Sequence, residues 1–139
     1  MHMGGEPKTM QENPRYDDVV LDVCDYLDSR IVACEAADIP RERIVVDPGI
    51  GFGKDLQHNM RLLAHLTIFH GLGVGLLLGV SRKSFIARAS LGEPSGERLP
   101  GSLAAALAAA GQGVQILRVH DVAETRQALR LKEQIDAAG

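Results

Sequence analysis

Charged and polar side chains follow apolar runs at separate places in the sequence. Asp47 comes directly after "RIVV", the stretch "SRKS" at 81–84 comes after "GLLLGV", and Arg118 and His120 lie towards the end of a run that begins at Val114. An ionised Asp only accepts hydrogen bonds and suits a ring edge with N–H donors, whereas Lys and Arg donate to carbonyl or phosphate oxygens. Together the stretches predict a site for a polar heterocycle and an anion.

The elements that would position these residues alternate between helix and strand. Residues 17–38 predict a helix, because apolar side chains recur at steps of three and four. These are Val20, Val23, Leu27, Ile31 and Cys34. Strands are predicted at 44–46, buried on both faces, and at 75–80 and 114–119. Short connections between such elements require parallel strands with helical crossovers, whose carboxyl ends converge on one ligand site.

Capping residues predict where the other helices begin and end. Asp55 would cap a second helix, which would end at the glycines Gly71 and Gly73. Ser102 would cap an alanine-rich helix, and Asp121 with Glu124 has the spacing of a capping box. The apolar face of the second helix comprises Leu56, Met60, Leu63 and Leu66, and the last helix would present Val122, Leu129 and Ile135 to the core.

The glycine-rich turn "DPGIGFGKD" at 47–55 matches neither common phosphate loop. A Walker A loop needs Ser or Thr after Gly-Lys, where this chain has Asp55, and the spacing G-x-G-x-x-G fails at Lys54. A purely structural alternative is a turn that uses glycine to reach positive φ, with Asp47 as a local cap. The sequence leaves both this alternative and a ligand-binding turn open.

Structural explanations also exist for the other polar residues. Arg82 and Lys83 alone are typical of a solvated loop pair, and His120 alone is typical of a backbone hydrogen bond. Arg118 is less easily explained, because a charge inside an apolar strand needs a partner. The remaining helical histidines, His58, His65 and His70, lack metal-site spacing with any acid or cysteine, so we interpret them as surface residues and expect no metal site.

Composition narrows the class of partner. The chain has 139 residues, 45% of them hydrophobic, and a formal net charge of -3, which disfavours nucleic acid and anionic lipid and favours a small ligand. No apolar run is long enough to span a membrane, and residues 1–15 lack the apolar core of a signal peptide. Cys24 and Cys34 fall about 15 Å apart along one predicted helix, too far for a disulfide. A reducing cytoplasm fits this pattern.

The motifs, taken in order, resemble one enzyme family. The stretches "MHMGGEPKTMQ", "DPGIGFGK", "SRKS", "GSLAAA" and "RVHDV" resemble the carboxyl-terminal half of the dihydropteroate synthases, and the resemblance covers essentially residues 1–139. It implies a (β/α)8 TIM barrel of the α/β class, of which this chain is a single partial domain of about half. "MHM" would then be the end of a preceding strand.

The resemblance also implies a reaction and its site residues. The reaction joins 6-hydroxymethyl-7,8-dihydropterin diphosphate to p-aminobenzoate and releases diphosphate through a pterin carbocation. Asp47 and Lys83 would bind the pterin, with Met3 on the pocket floor. Arg118 and His120 would hold the diphosphate and, with Lys83, act in catalysis. The p-aminobenzoate pocket would be formed by Gly51, Phe52, Arg82 and Ser84.

Parts of the family pattern are absent from the sequence. No stretch resembles the family's "NVTPDSFSDGG"-like motif, which supplies a flexible loop and the asparagine associated with Mg²⁺ and the diphosphate. We therefore expect Mg²⁺ to bind through the substrate, with no protein ligand in this chain, and expect the isolated chain to be inactive. A homodimer is a family expectation. The alternatives are a non-catalytic pterin-binding or half-barrel interaction module and a folate-dependent methyltransferase domain, although methyl transfer has no diphosphate for "SRKS" and "RVHDV" to hold.

Overall fold

The computed structural model describes residues 1–5, 10 and 12–139, and helices alternate with short strands over this range. The strands are β1 (Val45–Val46), β2 (Gly75–Leu78) and β3 (Ile116–Leu117). The helices are α1 (Val19–Glu35), α2 (Leu56–Ala64), α3 (Ser84–Ala89), α4 (Leu99–Gly111) and α5 (Val122–Asp136). Short 3₁₀ turns occur at Arg41–Arg43, Leu66–Leu72 and Ser95–Glu97.

The strands form one parallel sheet in the order β1-β2-β3. Val45 pairs with Gly75 in the first ladder and Leu77 pairs with Ile116 in the second. Parallel neighbours need a crossover, and helices supply it between each pair. The predicted parallel α/β architecture is therefore confirmed, and the carboxyl ends of all three strands lie at the same edge.

The strands are shorter than the apolar runs predicted. Val46 is buried, but Val45 is 45% exposed, so burial on both faces is wrong for β1. Successive side chains of a strand point to opposite faces, and the helices that form the core cover the face that carries Val46. Residues 1–3 form no strand, although the His2 N–H donates to the Asp47 carbonyl just beyond β1.

Helix α1 follows a capping aspartate and buries four of the five predicted stripe residues, while Cys34 is half-buried. The Asp18 carboxylate accepts the N–H groups of Val20 and Leu21, which satisfies donors that the first turn leaves without helical partners. Cys24 and Cys34 are free thiols on this helix. The buried side chains are Val19, Val20, Val23, Leu27 and Ile31.

Helix α2 begins as predicted and ends earlier. Asp55 caps it in a reciprocal box with His58, but the α-helix ends at Ala64 and a 3₁₀ segment continues to Leu72. Gly73, at φ +67°, then ends that segment. Two histidines interpreted as surface residues are half-buried and bonded: His58 in the cap and His70 against the Gln112 carbonyl.

Two predicted caps are wrong, each for a different reason. Helix α4 starts at Leu99, so Ser102 lies inside it and is buried. Asp121 precedes α5 without a side-chain capping bond, because Arg82 binds its carboxylate.

The predicted core face of α5 is also wrong. Val122 is 57% exposed and Ile135 is 63% exposed, while Leu129 is half-buried and Thr125 is buried. This helix packs mainly against α4, which covers only the side that carries Thr125.

The core lies between the sheet and α1, α2 and the following 3₁₀ segment. Its fully enclosed members include Leu62, Leu66, Phe69, Leu76 and Leu78. Within the described part of the chain, no helix has the length and apolar character to cross a membrane.

Candidate functional site

Asp47 lies at the carboxyl end of β1 and uses one oxygen within its own turn. Its side chain is 9% exposed, and Oδ1 accepts the Gly49 N–H at 2.8 Å. No described residue donates to Oδ2. The local cap and the ligand-binding interpretation are thus compatible, because the cap occupies only one of the two oxygens.

Lys54 closes the turn from inside the protein. It is 1% exposed, and its Nζ lies 3.0 Å from both the Gly49 and the Phe52 carbonyl oxygens and 2.9 Å from His2 Nδ1. Burial lowers the pKa of Lys54 to about 7. The Asp47 carboxylate acts in the opposite direction, and the Lys83 ammonium group lowers the pKa further. Burial, and after it the charge of Lys54, lowers the pKa of His2 to about 4. The His2 ring is therefore neutral near pH 7.

Gly51 lets this turn come close to the segment that follows β2. Gly51 has φ +82°, and a Cβ there would lie 3.4 Å from Lys83 Cδ. Its N–H donates to Asn59 Oδ1 at 2.7 Å, while Asn59 Nδ2 donates to the carbonyls of Lys54 and Asp55. Helix α2 therefore fixes the turn from its outer side.

Lys83 lies between the turn and β3. Its Nζ donates to the Ile50 carbonyl and is 4.6 Å from the centroid of the Phe52 ring, in a cation–π contact. Burial lowers the pKa of Lys83 to about 8. The Asp47 carboxylate acts in the opposite direction, and the Arg118 guanidinium group lowers the pKa further. The ammonium group is thus electrostatically coupled to both Asp47 and Arg118.

Arg82 is held in an uncommon backbone conformation. Its φ is +57°, and both of its peptide groups are bound: Ser102 Oγ in α4 accepts its N–H at 2.9 Å, and Arg98, which precedes α4, donates to its carbonyl at 3.0 Å. Its guanidinium group binds both oxygens of Asp121. The hydrogen bonds from Arg82 lower the pKa of the Asp121 carboxyl and the pair raises the pKa of Arg82.

Arg118 and His120 follow β3 and face the end of β2. Arg118 lies past the strand and is exposed, so the prediction of a charge inside the strand is wrong. Its guanidinium group is so close to Gly79 that a Cβ there would be 3.3 Å from it, and no described side chain pairs with it. The His120 N–H and ring Nδ1 both contact Ser81 Oγ, at 3.2 and 3.0 Å.

Met3 and Ser84 are less closely tied to this cluster. Met3 is half-buried next to His2, and Ser84 is an exposed first residue of α3 whose hydroxyl makes no hydrogen bond within the described ranges. The rest of the first motif, at 6–9 and 11, lies outside the described residues.

The arrangement joins an open carboxylate oxygen, two cations and an aromatic face. Asp47 can accept from a ring edge, Phe52 with Lys83 can border a flat ring, and Arg118 can bind an anion. Residues 1–5, 10 and 12–139 contain no group of three His, Cys, Asp or Glu that could hold a metal ion. A cavity of about 690 Å³ between β3 and α5 is lined by Arg118 but not by Asp47 or Lys83.

Several supporting residues were not predicted as such from the sequence. Ser102 appeared as a cap, and Asn59 carried no signal, because their partners are 20 and 8 residues away in sequence. Lys54 had one visible signal, a base within a run of glycine and apolar residues ahead of Asp55.

Comparisons with known proteins agree with this geometry. The family described as pterin binding enzyme matches residues 1–120. Dihydropteroate synthase of Escherichia coli strain K12 is 54% identical over 133 residues, which are 96% of this chain and 47% of that protein. The Neisseria meningitidis serogroup B enzyme is 51% identical over 138 residues, 97% of this chain and 48% of that protein. The chain thus spans about half the length of the curated relatives it matches.

Solved structures give the same result. A Yersinia pestis dihydropteroate synthase in a sulfonamide drug complex has a TM-score of 0.95 and 46% identity, covering 99% of this chain and 50% of that one. A Thermus thermophilus synthase in complex with 6HMPPP has a TM-score of 0.90 and 42% identity, covering 96% of this chain and 53% of that one. The predicted fold class, about half of a TIM-barrel enzyme with parallel strands, is confirmed. The chain belongs to the pterin binding enzyme family.

Proposed function

We propose that this chain carries the carboxyl-terminal half of a dihydropteroate synthase active site. The reaction would condense 6-hydroxymethyl-7,8-dihydropterin diphosphate with p-aminobenzoate to give dihydropteroate and diphosphate. The observation that carries the proposal is the convergence of Asp47, Lys83 and Arg118 at the ends of successive parallel strands. The synthases that match the chain support the same reaction.

Asp47 and Lys83 would bind the pterin. Asp47 Oδ2 is an open acceptor for the ring's amino and N–H donors, and Lys83 would donate to the pterin from the opposite side. Met3 would contribute to the floor of this pocket, which its half-buried position beside His2 allows. The pterin edge would thus meet one anion and one cation.

The arylamine would lie beside the pterin. Phe52 and Gly51 would border the p-aminobenzoate pocket, Arg82 would flank it, and Ser84 would position the carboxylate. The cation–π contact between Lys83 and Phe52 supports a shared wall between the two pockets. A Xanthomonas albilineans synthase solved with 4-aminobenzoic acid is 45% identical to this chain, with a TM-score of 0.90.

Arg118 and His120 would hold the diphosphate. Charge builds up on this group as its bond to the pterin methylene breaks, so fixed cations are most useful there. Arg118 is suited to the task because no described acid neutralises it, whereas Arg82 is already paired with Asp121. His120 is fixed by Ser81 beside it.

Magnesium would reach this site with the substrate. The described residues near Arg118 do not fit a magnesium ligand set, because the Asp121 carboxylate is bound to Arg82 and Asp47 is partly used by Gly49. We therefore assign no step to the metal in this chain. Its protein ligand would lie elsewhere in the complete enzyme.

Assembly and location follow from the same proposal. A homodimer would use the exposed apolar side chains of α5, such as Leu131 and Ile135, each 63% exposed. The free thiols Cys24 and Cys34 fit a reducing cytoplasm. We expect the 139-residue chain alone to show no turnover, because it covers about half of each synthase it matches.

The test is calorimetric titration of the purified chain with a non-hydrolysable dihydropterin diphosphate analogue. Asp47→Asn should lower affinity by about 10-fold or more, because it replaces a charged acceptor with an amide. Asp28→Asn, on the exposed face of α1, is the matched control and should bind like the parent chain. Equal binding by the parent chain and Asp47→Asn would overturn the assignment of Asp47.

A further inference from the structure

Lys54 is an enclosed cation to which the proposed reaction gives no role. It is one of the largest fully buried side chains, and no carboxylate lies within hydrogen-bonding distance of its Nζ in the described structure. An ammonium group is unfavourable to bury, so a chain that keeps one needs each of its N–H donors used. The two carbonyls and the neutral His2 ring supply three acceptors.

These contacts form a closed circuit around Asp47. Lys54 donates to the Gly49 carbonyl, and the Gly49 N–H donates to Asp47 Oδ1. On the other side, Lys54 contacts the His2 ring, and the His2 backbone N–H donates to the Asp47 carbonyl. Both the backbone and the carboxylate of Asp47 are therefore fixed by groups that Lys54 holds.

We propose that Lys54 is a positioning residue that fixes the Asp47 carboxylate with Oδ2 turned towards the ligand. The inference rests on the proposed function, because it concerns the orientation of the same pterin-binding acid. Lys54 itself would not touch the ligand, since it is enclosed behind the turn. Its second bond, to the Phe52 carbonyl, would fix the start of the neighbouring pocket wall at the same time.

The circuit also explains why glycine is needed at 49. A Cβ there would lie 1.8 Å from the His2 carbonyl oxygen and 3.6 Å from Lys54 Nζ, at φ +71°. The amino-terminal segment can approach Lys54 only because residue 49 has no side chain. The lysine and the glycine thus serve one close packing arrangement between residues 1–4 and the turn.

The first measurement is amide hydrogen exchange on the ligand-free chain near pH 6. Lys54→Met keeps the length and apolar stem but removes the donors, so protection should fall by about 10-fold or more at Gly49 and Phe52. The amides of Leu76 and Leu78 in β2 should keep their protection. Lys132→Met on α5 is the control, because Lys132 pairs with Asp136 and makes no contact with the Lys54 turn.

The second measurement is calorimetric affinity for 6-hydroxymethylpterin and for inorganic diphosphate. Lys54→Met should weaken pterin binding by about 10-fold and leave diphosphate binding at Arg118 unchanged, whereas a general loss of structure would weaken both. Unchanged protection at Gly49, or unchanged pterin affinity, in folded Lys54→Met would overturn the proposal. If the parent chain alone binds no pterin, the proposed function is decided on the chain completed with the amino-terminal half of a synthase, and the exchange result still decides whether Lys54 holds the turn.

A wild-type measurement covers the case in which Lys54→Met and the milder Lys54→Gln do not fold. In a ¹⁵N-labelled chain near pH 6, the Lys54 ammonium protons should exchange with water much more slowly than those of Lys132, because three acceptors hold them. Exchange as fast as that of Lys132 would contradict the circuit.

Discussion

One oxygen of Asp47 is used within the protein, and the other is open for the proposed contact with the pterin. Oδ1 accepts the Gly49 N–H at 2.8 Å, and Oδ2 has no described donor. A carboxylate fixed by one oxygen presents the other without having to reorient when a ligand binds, which lowers the entropy cost of recognition. These two uses are the reason why the sequence alone left both a local cap and a ligand contact open.

The buried base beside Asp47 makes stability depend on pH. Lys54 has a pKa of about 7 in the folded chain and an ordinary value of 10.5, so between these values the unfolded chain binds more protons. The free energy of unfolding therefore rises with pH across that window.

Lys54→Met should remove this part of the rise. Between about pH 7.5 and pH 9, the free energy of unfolding of the parent chain should rise with pH more steeply than that of the variant. The difference in slope should be up to about 1.4 kcal/mol per pH unit. Urea unfolding at several pH values measures the slope. Lys83→Met serves as comparison, since Lys83 titrates in the fold near 8 and contributes in the same direction at a higher window. Parallel slopes for the parent chain and Lys54→Met would show that Lys54 is charged throughout.

At the scale of elements, α4 supports the turn that presents Lys83. Ser102 Oγ accepts the Arg82 N–H and donates to the Arg98 carbonyl at 2.7 Å, while Arg98 donates to the Arg82 carbonyl. The positive φ of Arg82 is costly for a non-glycine residue and persists because the surrounding bonds fix it.

Ser102→Ala should leave the Arg82 N–H without its acceptor. We expect a loss of about 1–3 kcal/mol in unfolding free energy, slightly reduced by the better helix propensity of alanine. Ser95→Ala, at an exposed 3₁₀ position, should change stability by less than about 0.5 kcal/mol. A Ser102→Ala chain as stable as the Ser95→Ala chain, by denaturant unfolding, would show that α4 does not hold this turn.

A comparison of two glycines distinguishes the cost of a positive φ from the cost of close packing. Gly49 and Gly92 both have positive φ, at +71° and +84°, but a Cβ at Gly92 would meet nothing within 4 Å. Gly92→Ala should therefore cost roughly 1 kcal/mol, from the left-handed conformation alone. Gly49→Ala should cost about 2–4 kcal/mol, because the new Cβ also collides with the His2 backbone. Equal thermal stabilities of the two variants would exclude close packing of residues 1–4 on the turn.

At the scale of the whole molecule, the repeated pattern of strands and helices could be predicted from the sequence, whereas hydrogen bonds between distant residues could not. Apolar runs followed by polar residues recur three times, so the convergence of Asp47, Lys83 and Arg118 could be predicted from parallel-strand geometry. The observed roles of Ser102 and Asp121 could not, because Arg82 binds both side chains: its N–H donates to Ser102 Oγ and its guanidinium group donates to the Asp121 carboxylate. A local sequence pattern does not show which distant group will bind a given side chain.

The structure leaves a strand edge and one face of a helix exposed, as expected of a chain about half as long as the enzymes it matches. Val45 on edge strand β1 is 45% exposed, and α5 leaves Val122 and Ile135 exposed. Open strand edges and apolar faces invite association. The chain covers about half of the synthases it matches, so we expect the remaining part of such a barrel to pack at the open edge of β1, while the apolar side chains of α5 stay available to a second copy.

Reconstitution tests the central claim most directly. The chain would be co-purified with the amino-terminal half of the Escherichia coli synthase, the assembly checked by size, and dihydropteroate formation measured from dihydropterin diphosphate and p-aminobenzoate. We expect turnover by the assembled pair, none by either half alone, and a loss of at least about 10-fold with Asp47→Asn. An assembled pair without turnover, or turnover that Asp47→Asn leaves unchanged, would contradict the assignment of this chain as half of the active site.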